Sequence, residues 1–388
     1  MIEIIKLEED IANAGSTEKI DLRLDLAYQI RTTVASKSTE HAMIAYTESC
    51  AINDTKRELR ALYLICTAGQ YNKDFTEFNK WIDLLIKRSI ELNDNPALGR
   101  AYILQYRQSM SSGNLKDAAE YLIKALEFFD TKQHASEIVS CYLGLGNIHM
   151  KLKNINKGVD YYKKALPYAR ETNEQAYLMV LQNIGSAHVM KKEYREAWEV
   201  YHQVLDSLSD SDVETRRIVL DNLGHVCQHI GELSEALEYF QEAIDLGEKY
   251  DCRYNVIKPL CKIASIHQDL KNFQEALAYL QKAEQLTDTS GCLSEKIEVL
   301  YAMIKYFKIR QDLANLVLYH EKLLTATEKL NESAMLERIK EFEEQHHINR
   351  YKDQIIDLQQ KIKLLSDQNA ELKATIEKLK DEIIHFVQ

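Results

Sequence analysis

Three histidines occupy equivalent positions along the chain and are the first candidates for metal-binding chemistry. His149, His188 and His267 each follow a small residue by three positions, and Cys227 occupies the same position in the segment between them. Imidazole and thiolate groups are common Zn²⁺ ligands, but they must converge on one point. Equivalent side chains on successive stacked helices stand roughly 10 Å apart, a typical interhelical distance. We therefore expect these residues to pack against adjacent helices, and we predict no metal site and no cofactor.

The other chemistry-bearing residues form no catalytic motif. The sequence has no G-x-x-x-x-G-K-S/T phosphate loop, no H-E-x-x-H zinc motif and no G-x-S-x-G nucleophile turn. His346 and His347 are consecutive, so they point to different sides of a helix and make a poor metal site. The seven cysteines form no C-x-x-C pair, and their odd number suits a reducing compartment. We therefore predict that the protein is not an enzyme.

A repeat of about forty residues carries these side chains. In each unit a small residue is followed after twelve positions by a second small residue, after four more by a bulky one, and after three more by a small or aliphatic one. The clearest units are Gly146, Gly158, Tyr162 and Ala165; Gly185, Ala197, Tyr201 and Val204; Gly224, Ala236, Phe240 and Ala243; and Ala264, Ala276, Leu280 and Ala283. The spacing i, i+4, i+7 places the last three on one face of a helix. Each unit is thus predicted to be a helix hairpin that stacks on its neighbours.

The frame of the repeat extends along most of the chain. The second small position recurs in steps of 39 or 40 at Phe78, Ala118, Gly158, Ala197, Ala236, Ala276 and Leu316, and a weaker unit is centred on Ser38, Ala42 and Ala45. This pattern resembles the tetratricopeptide repeat (TPR) superfamily, whose repeat reads L-G-x-x-Y followed by A, F and A at these offsets. The segment Leu233–Leu246, LSEALEYFQEAIDL, is close to the second helix of that repeat. The long step is similar to that of the forty-residue repeats in bacterial TPR signalling proteins.

The repeat predicts an all-α fold, a TPR-like α-solenoid, and the apolar spacing of the C-terminal segment, described below, predicts that a long coiled-coil helix follows it. We predict an atypical N-terminal helical unit or capping repeat at residues 1–55, the solenoid at residues 56–330, and the long helix and coiled coil at residues 331–388. Composition agrees, because 3 Pro and 12 Gly in 388 residues favour helix.

Charge and hydropathy exclude several classes of partner. The net charge of −11 opposes binding to nucleic acid or to anionic membranes, and it makes basic partners the easier electrostatic fit. The N-terminus MIEIIKLEEDIANAG carries acidic residues and no long apolar segment, so it does not resemble a secretory signal. No uncharged apolar stretch approaches the length that spans a bilayer. We expect a soluble, cytoplasmic protein.

The C-terminal segment has the apolar spacing of a coiled coil. The apolar positions alternate by three and four, with one polar residue among them, at Ile355, Leu358, Ile362, Leu365, Asn369, Leu372, Ile376, Leu379, Ile383 and Phe386. Ile at a with Leu at d, and a single Asn at a, favour a parallel dimer. We predict a homodimer through these residues. The flanking charges do not specify orientation, so an antiparallel pair, or a helix that folds back on its own solenoid, remains an alternative.

The resemblance also implies where a ligand binds. In the TPR family, the positions two before and one after the first small residue face the concave groove. Together with adjacent polar residues, these positions are Asn147, Gln182, Asn183, Asp221, Asn222, His225, Lys258 and Lys262. An asparagine amide is both donor and acceptor, so Asn183 and Asn222 are each able to bind one peptide unit of an extended ligand. The alternative is that these amides only bond to adjacent helices.

Two functional hypotheses follow. The first is a non-catalytic, dimeric interaction scaffold or signalling sensor that binds a peptide or protein segment in the groove. The second is a regulator that acts directly on a partner enzyme or response regulator, or the sensory part of a longer signalling protein whose output domain is missing.

Overall fold

The structure is a computed structural model that describes residues 7–332, with gaps at 9, 13, 72–74, 251–252 and 291–292. The chain divides into two compact units, Met1–Leu330 and Asn331–Gln388. The predicted dimerisation residues, Ile355 to Phe386, lie outside the described residues. The coiled coil and its register therefore stay predictions from the sequence.

All regular secondary structure in the described ranges is helical, which confirms the predicted all-α solenoid. The helices are α1 Ser16–Ile30, α2 Ala35–Ala51, α3 Thr55–Tyr71, α4 Phe75–Glu91, α5 Asn95–Ser111, α6 Leu115–Leu126, α7 Ala135–Lys151, α8 Ile155–Thr172, α9 Glu174–Met190, α10 Tyr194–Ser207, α11 Val213–Ile230, α12 Leu233–Lys249, α13 Ile257–Asp269, α14 Phe273–Ser290, α15 Leu293–Arg310 and α16 at 313–332. A short 3₁₀ turn, Arg253–Val256, precedes α13. Odd-numbered helices are the first of each hairpin and even-numbered helices are the second.

One turn conformation joins the two helices of six successive hairpins. A residue with positive φ lies five positions before each second small residue, at Gly113, Lys153, Lys192, Gly231, Lys271 and Gln311. The next amide bonds back to the end of the first helix, as in the bond from Glu232 N to the Cys227 carbonyl at 2.9 Å. This is the hydrogen-bond pattern of a left-handed helix C-terminus. The turn therefore fixes the constant spacing of twelve residues between the two small positions.

The first small residue of a unit accommodates the bulky residue of the same hairpin. An added Cβ would lie 2.3 Å from Cε1 of Tyr162 at Gly146, 2.7 Å from Cε1 of Tyr201 at Gly185, and 2.8 Å from Cδ1 of Phe240 at Gly224. These three rings are fully or almost fully buried. The predicted close approach is confirmed, and the partner helix is the second helix of the same unit.

Successive hairpins are joined by polar contacts between their first helices. Arg57 of α3 binds Asp21 of α1 through two nitrogens, at 2.8 and 2.6 Å. Arg100 of α5 binds Glu137 of α7 at 2.7 Å. Among the described residues, every pair of helices in substantial contact is separated by at most one other helix along the chain. Stacking in this region is therefore between neighbours, as expected for a solenoid.

The N-terminal unit forms the same kind of hairpin as the later ones. Ser38, Ala42 and Ala45 of α2 are fully buried. The hydroxyl of Ser38 donates to the carbonyl of Ala27 in α1 at 2.7 Å, which ties the two helices together. The weaker sequence pattern at this end thus still encodes a packed helix pair. The domain boundary near residue 55 remains a prediction.

Candidate functional site

The recurring histidine position belongs to the packing between the two helices of a hairpin. His149 stacks on Tyr161 with ring centroids 5.4 Å apart, and His267 stacks on Tyr279 at 5.7 Å. His188 pairs through Nδ1 with Oε2 of Glu193 at 2.7 Å. Burial raises the pKa of the Cys227 thiol to about 11. The predicted packing role is confirmed for these residues, and no three His, Cys, Asp or Glu side chains converge on a metal position in the described part of the chain.

The predicted binding residues lie on four successive first helices. Asn147 is on α7, Gln182 and Asn183 on α9, Asp221, Asn222 and His225 on α11, and Lys258 and Lys262 on α13. Asn147 and Lys258 are exposed, and the other six are half-buried. The repeat therefore brings residues 39 or 40 positions apart to corresponding places on consecutive helices.

Four of these side chains have partners within the protein, and His225, which pairs with a second histidine, is described below. The amide oxygen of Asn147 accepts a hydrogen bond from the Tyr162 hydroxyl at 2.6 Å. Nδ2 of Asn183 donates to the carbonyl of Met179 in its own helix at 2.9 Å. Lys258 forms an exposed ion pair with Glu298 of α15, with Nζ 3.6 Å from Oε1. The polar groups of these three residues are therefore already bonded within the protein.

Four other predicted residues keep their polar groups unpaired. Within the described ranges, the side chains of Gln182, Asp221, Asn222 and Lys262 make no hydrogen bond or ion pair. Asn222 and Lys262 occupy the same repeat position on α11 and α13, and Asp221, which precedes Asn222, interacts electrostatically with Lys262. We call these three residues the unpaired polar cluster. The cluster offers an acceptor, an ammonium donor and an amide that does both.

Burial determines the electrostatics of the cluster. Burial raises the pKa of the Asp221 carboxyl, and the nearby positive charges of Arg217, Lys262 and Lys258 oppose that rise. Burial likewise raises the pKa of Tyr201 to about 12, and the Tyr201 hydroxyl lies 3.0 Å from Oγ of Ser186. Charges in such a partly desolvated environment interact more strongly with a ligand than they do in bulk water.

His225 has a histidine neighbour that the sequence analysis missed. Nε2 of His225 lies 3.2 Å from Nε2 of His229, one helical turn further along α11. Burial, with Lys262 nearby, lowers the pKa of His225 to about 4, and burial also lowers that of His229. The signal in the sequence is the i, i+4 spacing of the two residues, which places them on one helix face.

The hairpin order, the repeated close contact between helices and the polar first-helix residues define a tetratricopeptide-repeat solenoid. A family profile described as MalT-like TPR region matches residues 99–382, and the chain belongs to this family. A search of curated proteins finds no match. No helix in the part that the structure describes is both long enough and apolar enough to cross a membrane.

Several solved structures share the fold. The apo form of RapI is 14% identical, with a TM-score of 0.62 over 81% of this chain and 98% of RapI. Aspartyl phosphate phosphatase F from Bacillus subtilis is 13% identical, with a TM-score of 0.55 over 84% of this chain and 92% of that one. A Rap protein complexed with Competence and Sporulation Factor is 12% identical, with a TM-score of 0.50 over 81% and 99%. Similarity at these identities shows the fold alone.

Proposed function

We propose that this chain is a non-catalytic interaction protein that binds an extended segment of a protein or peptide along its first helices, centred on α11 and α13. The observation that carries the proposal is the unpaired polar cluster of Asp221, Asn222 and Lys262. A polar group that is partly removed from water without a partner costs free energy, and a ligand that pairs with it recovers that cost. Asn147 and Lys258 already have partners, so a ligand that pairs with them recovers no such cost.

The chemistry of the cluster suits a peptide main chain with a charged group nearby. The Asn222 amide is able to donate to a peptide carbonyl and accept from a peptide N–H at the same time. Asn183, at the equivalent place on α9, already donates to its own helix, so Asn222 is the stronger contact of the two. The net charge of −11 favours a basic partner, whose cation would pair with Asp221.

The proposal predicts a separation of binding from stability. Replacing Asn222 or Asp221 with Ala is expected to weaken partner binding by about 1–3 kcal/mol, because each side chain loses a bond made only in the complex. The melting temperature should not fall and should rise slightly, since each variant removes a partly buried polar group that makes no bond within the described part of the protein. The partner is first captured with the wild-type chain and identified by mass spectrometry, and its affinity for each variant is then measured by calorimetry.

A matched control lies on a second helix. Asn79 of α4 is exposed and accepts from Nε2 of Gln108 at 3.0 Å, so Asn79→Ala removes a similar amide away from the proposed face. Its partner affinity should equal that of the wild type. Normal affinity in the Asp221→Ala/Asn222→Ala double variant would rule out this cluster as the recognition site.

The proposal includes dimerisation through the C-terminal segment. Because solenoid contacts are local, removing residues 348–388 is expected to convert a dimer into a monomer that keeps its repeat helices. Light scattering and circular dichroism measure the two properties. Asn369→Ile should raise the thermal stability and loosen the oligomer specificity, as a polar a-position residue trades stability for register. A monomeric full-length chain would contradict the predicted dimer.

A further inference from the structure

Two histidines on α11 bring one ring nitrogen each close together. Nε2 of His225 and Nε2 of His229 are 3.2 Å apart, and the rings are nearly perpendicular, with an angle of 81°. His229 stacks face to face on Tyr194 of α10, with centroids 4.5 Å apart and an angle of 5°. The neighbouring helix thus holds one ring in place, and the pair has its geometry before any ligand binds.

The distance between the nitrogens is the one that chelation requires. Histidine nitrogens bind Zn²⁺ at about 2.0–2.1 Å, so two of them on one tetrahedral ion stand about 3.3 Å apart. Two histidines at i and i+4 on a helix are also the spacing of the H-E-x-x-H zinc sites. In this chain the segment reads HVCQH. We propose that His225 and His229 form a bidentate binding site for a first-row divalent transition-metal ion such as Zn²⁺, Ni²⁺ or Cu²⁺.

The same distance also fits a hydrogen bond between two neutral rings, in which one Nε2 carries the proton. Metal binding requires both Nε2 lone pairs, so the donating ring must take the tautomer with its proton on Nδ1. That exchange changes no charge when both rings are neutral, as histidines are above an ordinary pKa of about 6.5. The hydrogen-bonded pair is therefore the metal-free form of the site.

The site supplies two protein ligands and leaves positions open. No third His, Cys, Asp or Glu side chain joins the pair in the described part of the chain, so water or a ligand group completes the coordination. Lys262 on α13 interacts electrostatically with both histidines. Its ammonium repels a cation, and it favours an anionic group such as a carboxylate at the open positions. A site of two imidazoles with water or carboxylate suits transition metals better than Mg²⁺ or Ca²⁺.

Calorimetric titration of the full-length chain at pH 8 with Zn²⁺, Ni²⁺ and Cu²⁺ tests this inference. We expect one saturable site that binds Cu²⁺ most tightly, following the usual order of these ions. His225→Gln and His229→Gln should each weaken binding by at least about tenfold, as loss of coordination support typically does. Lys262→Met should bind the metal more tightly than the wild type, because it removes a repelling charge.

His320→Gln is the control, since His320 is an exposed histidine on α16, remote in sequence, whose Nδ1 lies 2.7 Å from its own helix's Leu316 carbonyl. Its affinity should match the wild type, and circular dichroism should show all variants folded. Equal metal affinity in the His225→Gln/His229→Gln double variant, or no saturable site in the wild type, would overturn the inference. Because the probe is the metal alone, this outcome is independent of whether the chain binds a peptide.

Discussion

Replacing Gly146 with Ala is expected to lower the free energy of unfolding by roughly 1–3 kcal/mol. The added Cβ would lie 2.3 Å from Cε1 and 2.5 Å from Cδ1 of Tyr162. The Tyr162 ring is 2% exposed, and its hydroxyl bonds to Asn147, so the ring has little room to move. Alanine gains about 1 kcal/mol of helix propensity over glycine, which the overlap should exceed. Urea denaturation measures the difference.

Two further variants separate overlap from other effects. Gly69→Ala makes the same chemical change inside α3, where the heavy atom nearest to the new Cβ is Cβ of Phe78 at 3.8 Å, an ordinary contact, and it should not lower the stability. The double variant Gly146→Ala/Tyr162→Leu copies the natural pair Ala264 and Leu280 of a later hairpin. We expect the two changes to be less costly together than their sum, with a coupling of about 0.5–3 kcal/mol. Strict additivity would contradict the assigned Gly–Tyr contact.

Replacing Arg88 with Met is expected to cost about 2–4 kcal/mol, because it leaves a buried carboxylate without its cation. Glu58 of α3 is 4% exposed. Its two oxygens accept from Nε and Nη2 of Arg88 in α4 at 2.5 and 2.8 Å, which ties the two helices of one hairpin. The side chain of Arg88 is about a third exposed, and partial access of water keeps the cost below that of a fully buried pair. Thermal and urea unfolding of the variant measure the loss.

A second arginine, which lies on α3 close to Glu58 in sequence, provides the comparison. Arg60 pairs with Asp25 at 2.5 Å, but both side chains are about half exposed. Arg60→Met should therefore cost less than about 1 kcal/mol. The Glu58→Gln/Arg88→Met double variant should recover much of the stability, since no charge is left buried. If Arg88→Met and Arg60→Met had equal effects, burial of Glu58 would not matter to the stability of this hairpin.

The repeat frame was predictable because the same spacing between the two small positions recurs in unit after unit. The left-handed turn residue, seen at Lys192 and Gly231, fixes the offset between the two small positions, so twelve-residue spacing survives where composition changes. The residue that packs against the first small position was harder to predict. Only the structure shows that Gly146 faces Tyr162 of its own hairpin rather than a residue of the next one.

The candidate site was only partly predictable, since sequence places a residue on a face but does not reveal its hydrogen bonds. Asn147 and Asn222 were both candidates, from different positions of the repeat, yet Asn147 lies within reach of the Tyr162 hydroxyl. The equivalent residue on α9 is Ser186, whose Oγ lies 3.0 Å from the Tyr201 hydroxyl, and on α11 it is His225, whose hairpin has Phe240 at the bulky position and no hydroxyl there. His229 is harder to predict because it forms neither a complete catalytic motif nor a repeat-spaced set with His225, and lies one helical turn from it.

Each helix pair in the described part of the chain is in substantial contact only with the adjoining pairs, which limits how far the local opening of one pair affects the others. A helix pair that opens near α15 loses contacts with the adjoining pairs, while pairs several steps away keep every interaction that they had. Fraying from an end is thus a graded process, and amide exchange with solvent should decline from the ends toward the middle of this stack. A ligand held by α11 and α13 would slow exchange in those pairs and their immediate neighbours. Amide exchange in helices α1 and α2 should be the same with and without the ligand.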